Sequence, residues 1–446
     1  MRILTAVFSL LLFAAVASNA AVKPGNEVLV EKKFKPLLGK RIGLITNPSG
    51  VDSKLNSMVD ILHHAPEINL VALFGPEHGI YGDIPAGDKV TNRVDARTGL
   101  PVHSLYGATR KPTPEMLKGL DALVMDVQDA GVRSYTFIST MGLAMQACGE
   151  AEVEFIVLDR PNPLGGERIE GPMVTDEFRS FVSQYNIPYV HGMTIGELAC
   201  MINGERWVTN QCKLTVVPMR GWKRSMLWRD TKLPWVPTSP HVPEDTSPMY
   251  MAATGIIGEL GSANIGVGYP VPFHCIGLPG MDMWRTADAL NDYRIPGVKF
   301  KPLTYKPNYG PFTTNIISGA QLYITDPRRA PLTALNLYIL EAVRKVSGHD
   351  LFADARENFD KAQAARDKAA AEKAARDKAE GKEPKKEEPA TVSVKPPTAF
   401  DMFDKVNGTN VTRKALQAGT PAAEIVESWR AGEEVFRKKR REYLLY

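Results

Sequence analysis

Four apolar segments near the start of the chain constrain its fold more than any other feature. They are residues 41–47, 69–74, 122–128 and 155–159. Short apolar runs of this kind are typical of strands that are buried on both faces of a parallel sheet. Segments with helical spacing lie between them, so we expect right-handed helical crossovers from strand to strand. The pattern therefore predicts the α/β class, with a doubly wound, mostly parallel sheet.

Polar side chains follow each of these segments, at the point where the predicted strand ends. Asn47 follows the first strand, Glu77 and His78 follow the second, and residues 126–129 and 159–162 follow the other two. The carboxyl ends of parallel strands meet at one edge of the sheet, where ligands bind in open α/β folds. Any one of these residues could be a helix cap, but four such strand ends favour a shared cleft.

The strongest candidate for an active site is the turn after the second strand, Phe74-Gly-Pro-Glu-His-Gly-Ile-Tyr-Gly-Asp83. Gly75 and Pro76 end the strand and bring Glu77 and His78 to its mouth. Both side chains are able to transfer protons near neutral pH. The alternative is a surface turn with a polar tip.

Helical spacing predicts a helix from Ser53 to His64, with Ser53 as its cap and Leu55 on its apolar face. A second helix begins after the cap residue Thr194. The second half of the chain has mixed signals, and residues 250–259 fit either a helix or a strand. Further predicted elements are strands at residues 298–302 and 319–325 and helices at residues 330–346 and 422–443.

A length of 446 residues predicts two domains. We expect a signal peptide at residues 1–20, an N-terminal domain at residues 21–245 and a C-terminal domain at residues 246–446. The boundary follows a Pro-rich stretch at residues 233–243. A charged low-complexity insertion at residues 355–397 lacks the apolar content to join a core, although its first half could form a solvated helix.

The first residues have the pattern of a secretory signal. Arg2 precedes an apolar run from Leu4 to Val16, and Ser18-Asn19-Ala20 forms a cleavage site. The pattern predicts an exported protein, either periplasmic or secreted. No later apolar run has the length of a membrane span, so we expect no stable membrane insertion. The net charge of +4 gives no basis for nucleic-acid binding.

The sequence contains no GxSxG, phosphate-loop or GxGxxG motif, so we expect no nucleotide cofactor. A metal-dependent hydrolase built on His78, His103 and Asp126 is an alternative, but their spacing matches no metal motif, and we expect no metal. The mature chain has four cysteines. Cys200 and Cys212 could form a disulfide, although buried free thiols fit equally well.

Several motifs are specific in their order along the chain. They are Gly43-Leu-Ile-Thr-Asn-Pro-Ser-Gly-Val-Asp52, Leu73-Phe-Gly-Pro-Glu-His-Gly79, Asp126-Val-Gln-Asp-Ala-Gly-Val-Arg-Ser-Tyr-Thr136, Leu158-Asp-Arg-Pro-Asn-Pro-Leu-Gly-Gly166 and His191-Gly-Met-Thr194. Over residues 38–243 the chain resembles the exo-β-N-acetylmuramidase family. The resemblance implies a Rossmann-like N-terminal domain, a smaller α+β C-terminal domain and a cleft between them. It also implies release of terminal N-acetylmuramic acid from the non-reducing end of peptidoglycan fragments.

The resemblance further implies roles for individual residues. Glu77 matches the family's catalytic glutamate, and His78 lies beside it. Positions that line the family's cleft match Asp126, Arg133, Tyr135, Asp159 and Asn162, and Glu259 is kept in the C-terminal domain. With Asn47 at the end of the first strand, these residues form the predicted site, in which Glu77, His78 and Asp126 are the expected catalytic residues.

Glycoside hydrolysis needs an acid for the leaving oxygen and a second group that stabilises or attacks the anomeric carbon. We expect Glu77 to be the acid, because partial burial suits that role. Asp126 or the substrate's own acetamido oxygen is the expected second group. Arg133 could bind the lactyl carboxylate of muramic acid through a two-pronged contact. The alternative is that Arg133 forms a structural ion pair with Asp126 or Asp129.

The chain departs from the family pattern within residues 259–273. Val267, Tyr269 and Val271 stand where we expect polar and basic residues. Those positions are candidates for holding the lactyl arm or the leaving sugar. The departure leaves an alternative function, in which the protein is an exported cell-wall sugar-binding protein that has lost catalysis.

Overall fold

The structure is a computed structural model, and it describes residues 21–85, 87–380 and 397–446. The predicted signal peptide at residues 1–20 lies outside the described residues. The same is true of residues 381–396, in the second half of the charged insertion.

The first sheet has seven strands within the described residues, and it confirms the predicted α/β architecture. The strands are β1 (Arg41–Thr46), β2 (Asn69–Gly75), β3 (Arg93–Val94), β4 (Pro101–Ser104), β5 (Ala122–Asp126), β6 (Glu154–Leu158) and β7 (Leu214–Val217). Their order is β3-β4-β2-β1-β5-β6-β7, and all neighbours are parallel except β3 and β4. The four predicted core strands are β1, β2, β5 and β6.

Helices cover both faces of this sheet, which explains its apolar strands. They are α1 (Gly25–Glu31), α2 (Met58–His64), α3 (Pro114–Leu117), α4 (Phe137–Glu150) and α5 (Ile195–Gly204). All five residues of β5 are buried. Leu123 and Met125 pack into the core on one face, and Ala122 and Val124 pack into the core on the other. This alternation is the period of two that a strand imposes on its side chains.

The chain changes direction across the sheet next to β1. It moves from β1 to β2 on one side and later enters β5 on the other side, where Thr46 pairs with Asp126. A switch point of this kind leaves a crevice outside the carboxyl ends of the two central strands, and ligands bind there in doubly wound folds. Residues that directly follow β1, β2 and β5 therefore share one edge of the sheet.

The predicted start of the helix at residues 53–64 is wrong. The helix begins at Met58, and the Ser57 side chain caps it by accepting a hydrogen bond from the backbone N–H of Val59. Leu55 is 56% exposed and has a φ angle of +67°, so it lies in a turn before the helix. The prediction that Thr194 caps α5 is confirmed, because its side chain and that of Glu197 form a reciprocal capping box.

The second domain is built around an antiparallel sheet, as the α+β prediction requires. Its strands are β8 (Cys275–Leu278), β9 (Val298–Tyr305) and β10 (Ile317–Ile324), in the order β8-β10-β9. The ambiguous segment at residues 250–259 is helical over most of its length. The helices of this part are α6 (Ser247–Gly258), α7 (Met283–Asp292), α8 (Leu332–Ser347), α9 (Leu351–Ala379), α10 (Asp401–Asn407), α11 (Val411–Gln417) and α12 (Ala422–Lys439).

The end of the chain packs back onto the first domain. After α12, Arg440 Nη1 donates to the carbonyl oxygen of His191 at 3.0 Å. The hydroxyl of the final residue, Tyr446, donates to Asp159 Oδ2 at 2.6 Å. The C-terminal part therefore supplies partners to polar groups at the edge of the first sheet.

The charged insertion begins as the helix α9. Leu351, Phe352 and Ala355 are buried in the core, whereas most residues of the helix from Arg356 onward are exposed. The expectation of a solvated helix is confirmed for this exposed part. The expectation that the whole insertion stays outside the core is wrong at Ala355, which faces the core together with the two apolar residues before it.

The cysteines Cys200 and Cys212 are free thiols in the structure, as are the two other cysteines. Among the described residues, no helix combines the length and apolar character needed to cross a membrane.

Candidate functional site

The turn that carries Glu77 has a strained backbone. The backbone N–H of Gly79 donates to the carbonyl oxygen of Pro76 at 2.9 Å, which closes a four-residue turn directly after β2. His78 has a φ angle of +70°, in the left-handed region that residues other than glycine rarely adopt. Such a conformation costs about 1–3 kcal/mol and is found most often at functional sites.

Glu77 is held from two sides. Thr136 Oγ1 donates to its Oε2 at 2.6 Å, and the backbone N–H of Gly87 donates to its Oε1 at 3.1 Å. Burial and the negative charge of Glu77 raise the pKa of Tyr106 to about 12, so this phenol also lies beside the carboxylate. Glu77 is 9% exposed, and its position is therefore fixed while its edge remains accessible. No sequence pattern predicts Tyr106 and Thr136 as neighbours of Glu77, because the three residues are far apart in the chain.

His78 lies near His241, a residue of the first domain that contacts the second domain. The Nδ1 atom of His78 donates to the carbonyl oxygen of Ile84 at 2.8 Å, since a carbonyl oxygen only accepts. Burial first, and then His78, lowers the pKa of His241. His241 Nε2 lies 3.0 Å from the hydroxyl of Tyr309, an exposed residue between β9 and β10. A contact between the two domains therefore lies near His78.

Asp126 is already paired, so the structure does not leave it free as the second catalytic group. Arg160 Nε donates to its Oδ1 at 2.5 Å, and Arg160 Nη2 donates to its Oδ2 at 2.9 Å. Asn26 Nδ2 makes a further hydrogen bond to Oδ2 at 3.2 Å. The exposed fraction of the Asp126 side chain is 0%, and that of Arg160 is 5%. These contacts favour a structural role at the end of β5.

Arg133 lies in the core and not in a cleft. Its Nε donates to Ser183 Oγ at 3.0 Å, and its Nη2 donates to the carbonyl oxygen of Val406 at 2.8 Å. Its Nη1 donates to the carbonyl oxygens of Pro172 and Ile187 at 2.7 and 2.6 Å. The predicted contact with a lactyl carboxylate conflicts with this geometry, because these bonds occupy all three nitrogen atoms. The alternative ion pair with Asp126 or Asp129 is not formed either. Asp126 pairs with Arg160, and the only hydrogen bond to the Asp129 carboxylate among the described residues comes from the backbone N–H of Gly131.

Asp159 and Asn162 stabilise local structure at the end of β6. The Oδ1 atom of Asp159 accepts from the backbone N–H of Gly196 at 2.8 Å, at the N-terminus of α5. Its Oδ2 accepts from Thr194 and Tyr446 at 2.8 and 2.6 Å. Asn162 Nδ2 donates to the carbonyl oxygen of Met193 at 2.9 Å. Both residues lie at the predicted edge, but their contacts are those of caps, which was the alternative for each.

Asn47 and Tyr135 meet under the Pro-rich segment. The Tyr135 hydroxyl and Thr238 Oγ1 are 2.6 Å apart, and Asn47 Nδ2 donates to the carbonyl oxygen of Thr238 at 3.4 Å. Thr238 lies within residues 233–243, which therefore pass over the carboxyl edge of the sheet. The structure thus brings Asn47, Tyr135 and Glu77 to one region, because Tyr135 directly precedes Thr136, which donates a hydrogen bond to Glu77.

Asp129 has the free carboxylate oxygen that Asp126 lacks. It is 6% exposed, and its Oδ2 accepts from the backbone N–H of Gly131 at 2.7 Å. Its buried Oδ1 has no hydrogen-bond partner in the described part of the chain. Burial raises the pKa of Asp129 to about 7, and the charges of Asp129 and Glu77 both raise the pKa of Tyr135. Both carboxylates therefore lie within electrostatic range of the Tyr135 phenol.

Glu259 follows the end of α6 and reaches solvent. The protein around it nevertheless removes part of its hydration, which raises the pKa of its carboxyl group to about 7. Its charge also raises the pKa of Tyr189, whose hydroxyl accepts a hydrogen bond from Ser134 at 3.3 Å. Glu259 therefore approaches the loop 129–136 from the side of the second domain.

The three residues that depart from the family pattern are used for packing. Tyr269 and Val271 pack against a small apolar cluster that contains Tyr305, and Val267 packs against the main core. The Tyr269 and Tyr305 ring centroids are 4.8 Å apart. These side chains therefore stabilise the second domain, and any recognition of a charged substrate must come from other residues.

A broad depression of about 900 Å³ lies elsewhere on the first domain, between residues 53–55, 228–235 and 243–245. Trp228 is buried beside it, and its ring packs edge-on against Trp235 at 4.9 Å. Neither Glu77 nor another predicted site residue lines this depression. We therefore place the candidate site at Glu77, where strand ends, backbone strain and carboxylates coincide.

The chain matches two consecutive family models. Exo-beta-N-acetylmuramidase NamZ, N-terminal, matches residues 42–246, and Exo-beta-N-acetylmuramidase NamZ, C-terminal, matches residues 249–446. The chain is 40% identical over 430 residues to peptidoglycan beta-N-acetylmuramidase NamZ of Bacillus subtilis (strain 168). The matched region covers 96% of this chain and 92% of that protein.

Two crystal structures of DUF1343 family proteins from Bacteroides fragilis NCTC 9343 are similar to this structure. One has a TM-score of 0.82 at 44% sequence identity, and the other has a TM-score of 0.66 at 28% identity. Each match covers 96% of this chain and 99% of the other chain. The similarity therefore extends over both domains.

Proposed function

The chain belongs to the exo-β-N-acetylmuramidase NamZ family, and we propose that it is an exo-acting glycoside hydrolase of peptidoglycan fragments. The proposed reaction releases terminal N-acetylmuramic acid from the non-reducing end. The observation that carries the proposal is the placement of Glu77. Its turn follows a central strand, and its carboxylate is held by Thr136 and Gly87. A second carboxylate, that of Asp129, acts together with Glu77 on the pKa of Tyr135.

Glu77 is the proposed proton donor. In its protonated form it gives a proton to the glycosidic oxygen while the bond from that oxygen to C1 of the muramic acid breaks. Its hydrogen bonds to Thr136 and Gly87 fix the direction of the carboxyl group, so the proton is delivered to one position. The neighbouring His78 orients the turn through its bond to the carbonyl oxygen of Ile84.

Asp129 is the proposed second carboxylate, in the role for which Asp126 was the sequence-based candidate. Its unpartnered Oδ1 is able to accept the proton of the attacking water, whose oxygen bonds to C1. A base whose pKa is close to neutral is suited to this step. One water is consumed, and the leaving sugar departs with the proton from Glu77. Asp129 then releases its proton to solvent and Glu77 takes one up, so both carboxyl groups return to their starting states.

We also propose that the protein acts outside the cytoplasm. The support is the signal pattern at residues 1–20 of the sequence, together with a substrate that belongs to the cell wall. A mature chain that begins near Ala21 is the expected form. Mass spectrometry of the native protein is the direct measurement of its first residue.

The test of the proposed activity uses the chain from Ala21 and two chromogenic substrates, the N-acetylmuramic acid glycoside and its N-acetylglucosamine analogue. We expect release of the chromophore from the muramic substrate, with a clear preference over the analogue. Binding of both compounds without release of chromophore from either would support the alternative, a cell-wall sugar-binding protein.

A further inference from the structure

The proposed substrate differs from its glucosamine analogue by an acidic lactyl ether on C3 of the sugar ring. A muramidase that prefers this substrate needs a cation near that carboxylate, within one sugar ring of the group that acts at C1. Arg133 is excluded, because its three nitrogen atoms donate to Ser183 and to backbone carbonyls. Val267, Tyr269 and Val271 carry no charge and pack, partly buried, against apolar clusters.

We infer that Arg110 binds the lactyl carboxylate, an inference that rests on the proposed function. Arg110 is exposed, and its guanidinium lies over two aromatic rings, 4.2 Å from the ring centre of Phe181 and 5.2 Å from that of Tyr106. These rings are 5.9 Å apart and form a corner that restricts the direction of the guanidinium. A stacked guanidinium keeps its N–H edges available for a planar acid.

Tyr106 links this cation to Glu77, because it interacts with both groups. The negative charge of Glu77 favours the neutral phenol of Tyr106, whereas the positive charge of Arg110 opposes that effect. The phenol therefore lies beside the carboxylate on one side and the guanidinium on the other. One phenol group therefore lies between the proposed proton donor and the cation.

Two other cations are already paired: Lys111, the next residue in the sequence, and Arg93, the first residue of β3. Lys111 Nζ bonds to Glu150 at 2.6 Å, and Arg93 bonds to Asp83 at 3.2 Å. Arg110 forms no ion pair within the described ranges of the chain. The subsite thus combines an unpaired guanidinium, two aromatic walls and the adjoining Glu77, which is the chemistry that recognises a sugar carrying one carboxylate.

The experiment compares Arg110→Ala and Arg110→Lys on the muramic and glucosamine substrates. We expect Arg110→Ala to lower kcat/KM on the muramic substrate by about 10- to 100-fold, mainly through KM, since a hydrogen bond to a charged group is lost. Activity on the glucosamine analogue should stay within about twofold, on the grounds that it lacks the acid. Arg110→Lys should be intermediate, because it keeps the charge and loses the planar fork.

The matched control is Arg356→Ala, which removes another exposed arginine that stacks on a ring, Phe400, in the second domain. It should change neither substrate. An equal loss on both substrates in Arg110→Ala, or no loss on either, would overturn the inference and leave the proposed activity standing. An inactive wild type would overturn the proposed function, and the inference would fall with it.

Discussion

The carboxylate of Asp126 and the guanidinium of Arg160 form a two-pronged ion pair, with N–O distances of 2.5 and 2.9 Å. The pair links the end of β5 to the loop that follows β6, and neither side chain is more than 5% exposed. Arg160 Nη2 also donates to the carbonyl oxygen of Val51 at 2.8 Å. The pair therefore joins three strand-end loops at the carboxyl edge of the sheet.

Asp126→Asn should destabilise the fold, because it leaves the buried Arg160 without its counter-charge. Removal of one partner of a buried ion pair costs about 3–5 kcal/mol. Urea unfolding at pH 7 measures this loss, and the turnover per folded molecule should remain close to that of the wild type. A variant with unchanged stability and a turnover that falls at least 100-fold would restore Asp126 as the catalytic group.

Glu77→Gln should lower turnover on the muramic substrate by about 100- to 10,000-fold, because the amide keeps the shape and has no acidic proton to give. Substrate binding, measured by calorimetry, should persist. The control is Glu154→Gln, the same change at the opposite end of the sheet, where Glu154 bonds to Thr215. It should leave turnover per folded molecule unchanged. Full turnover in Glu77→Gln would remove Glu77 from the catalytic role.

The sheet and its polar edge could be predicted from the sequence, because a strand and the turn after it are local patterns. Glu77 shows this: its strand, its Gly-Pro turn and its position follow from ten consecutive residues. The partners of the other polar residues could not be predicted. Arg160 reaches Asp126 across 34 residues, and Tyr446 reaches Asp159 across 287. Pairing of this kind decides whether a carboxylate is free, and it depends on the packing of the whole chain.

Stability should fall in acid partly through His191. This side chain is fully buried, and burial, followed by the charges of Arg440 and Arg133, lowers its pKa to about 3. A lowered pKa in the folded state means that the unfolded chain binds the proton first. The contribution of His191 to stability is therefore complete above the unfolded value of about 6.5 and is lost as the pH falls towards 3.

His191→Asn removes this titration and keeps an acceptor for the backbone N–H of Met193, which bonds to His191 Nδ1. The variant should lose less unfolding free energy than the wild type between pH 7 and pH 4. Urea midpoints at the two pH values measure the difference. Parallel pH dependence in the two proteins would show that other buried groups account for the acid sensitivity.

Asp129→Asn separates catalysis from structure, since the asparagine oxygen can still accept the hydrogen bond of Gly131. The fold should remain intact, and turnover should fall by about 100-fold or more because the base is lost. The pKa of Asp129 is about 7 in the folded protein and about 3.9 in the unfolded chain, so the unfolded chain ionises first and the wild type loses stability as the pH rises from about 4 to 7. The variant should therefore be more stable than the wild type at pH 8 and equal to it near pH 4.

Azide distinguishes a missing base from a damaged site. Asp129→Ala leaves room for a small anion, and azide bonds to C1 without losing a proton, so added azide should restore part of the turnover and yield a glycosyl azide. The control is Asp282→Asn in the second domain. Asp282 likewise accepts a hydrogen bond from the backbone N–H two residues later, that of Trp284. This variant should keep full turnover. A fully active Asp129→Asn, or an inactive Asp129→Ala that azide does not rescue, would show that Asp129 is not the base.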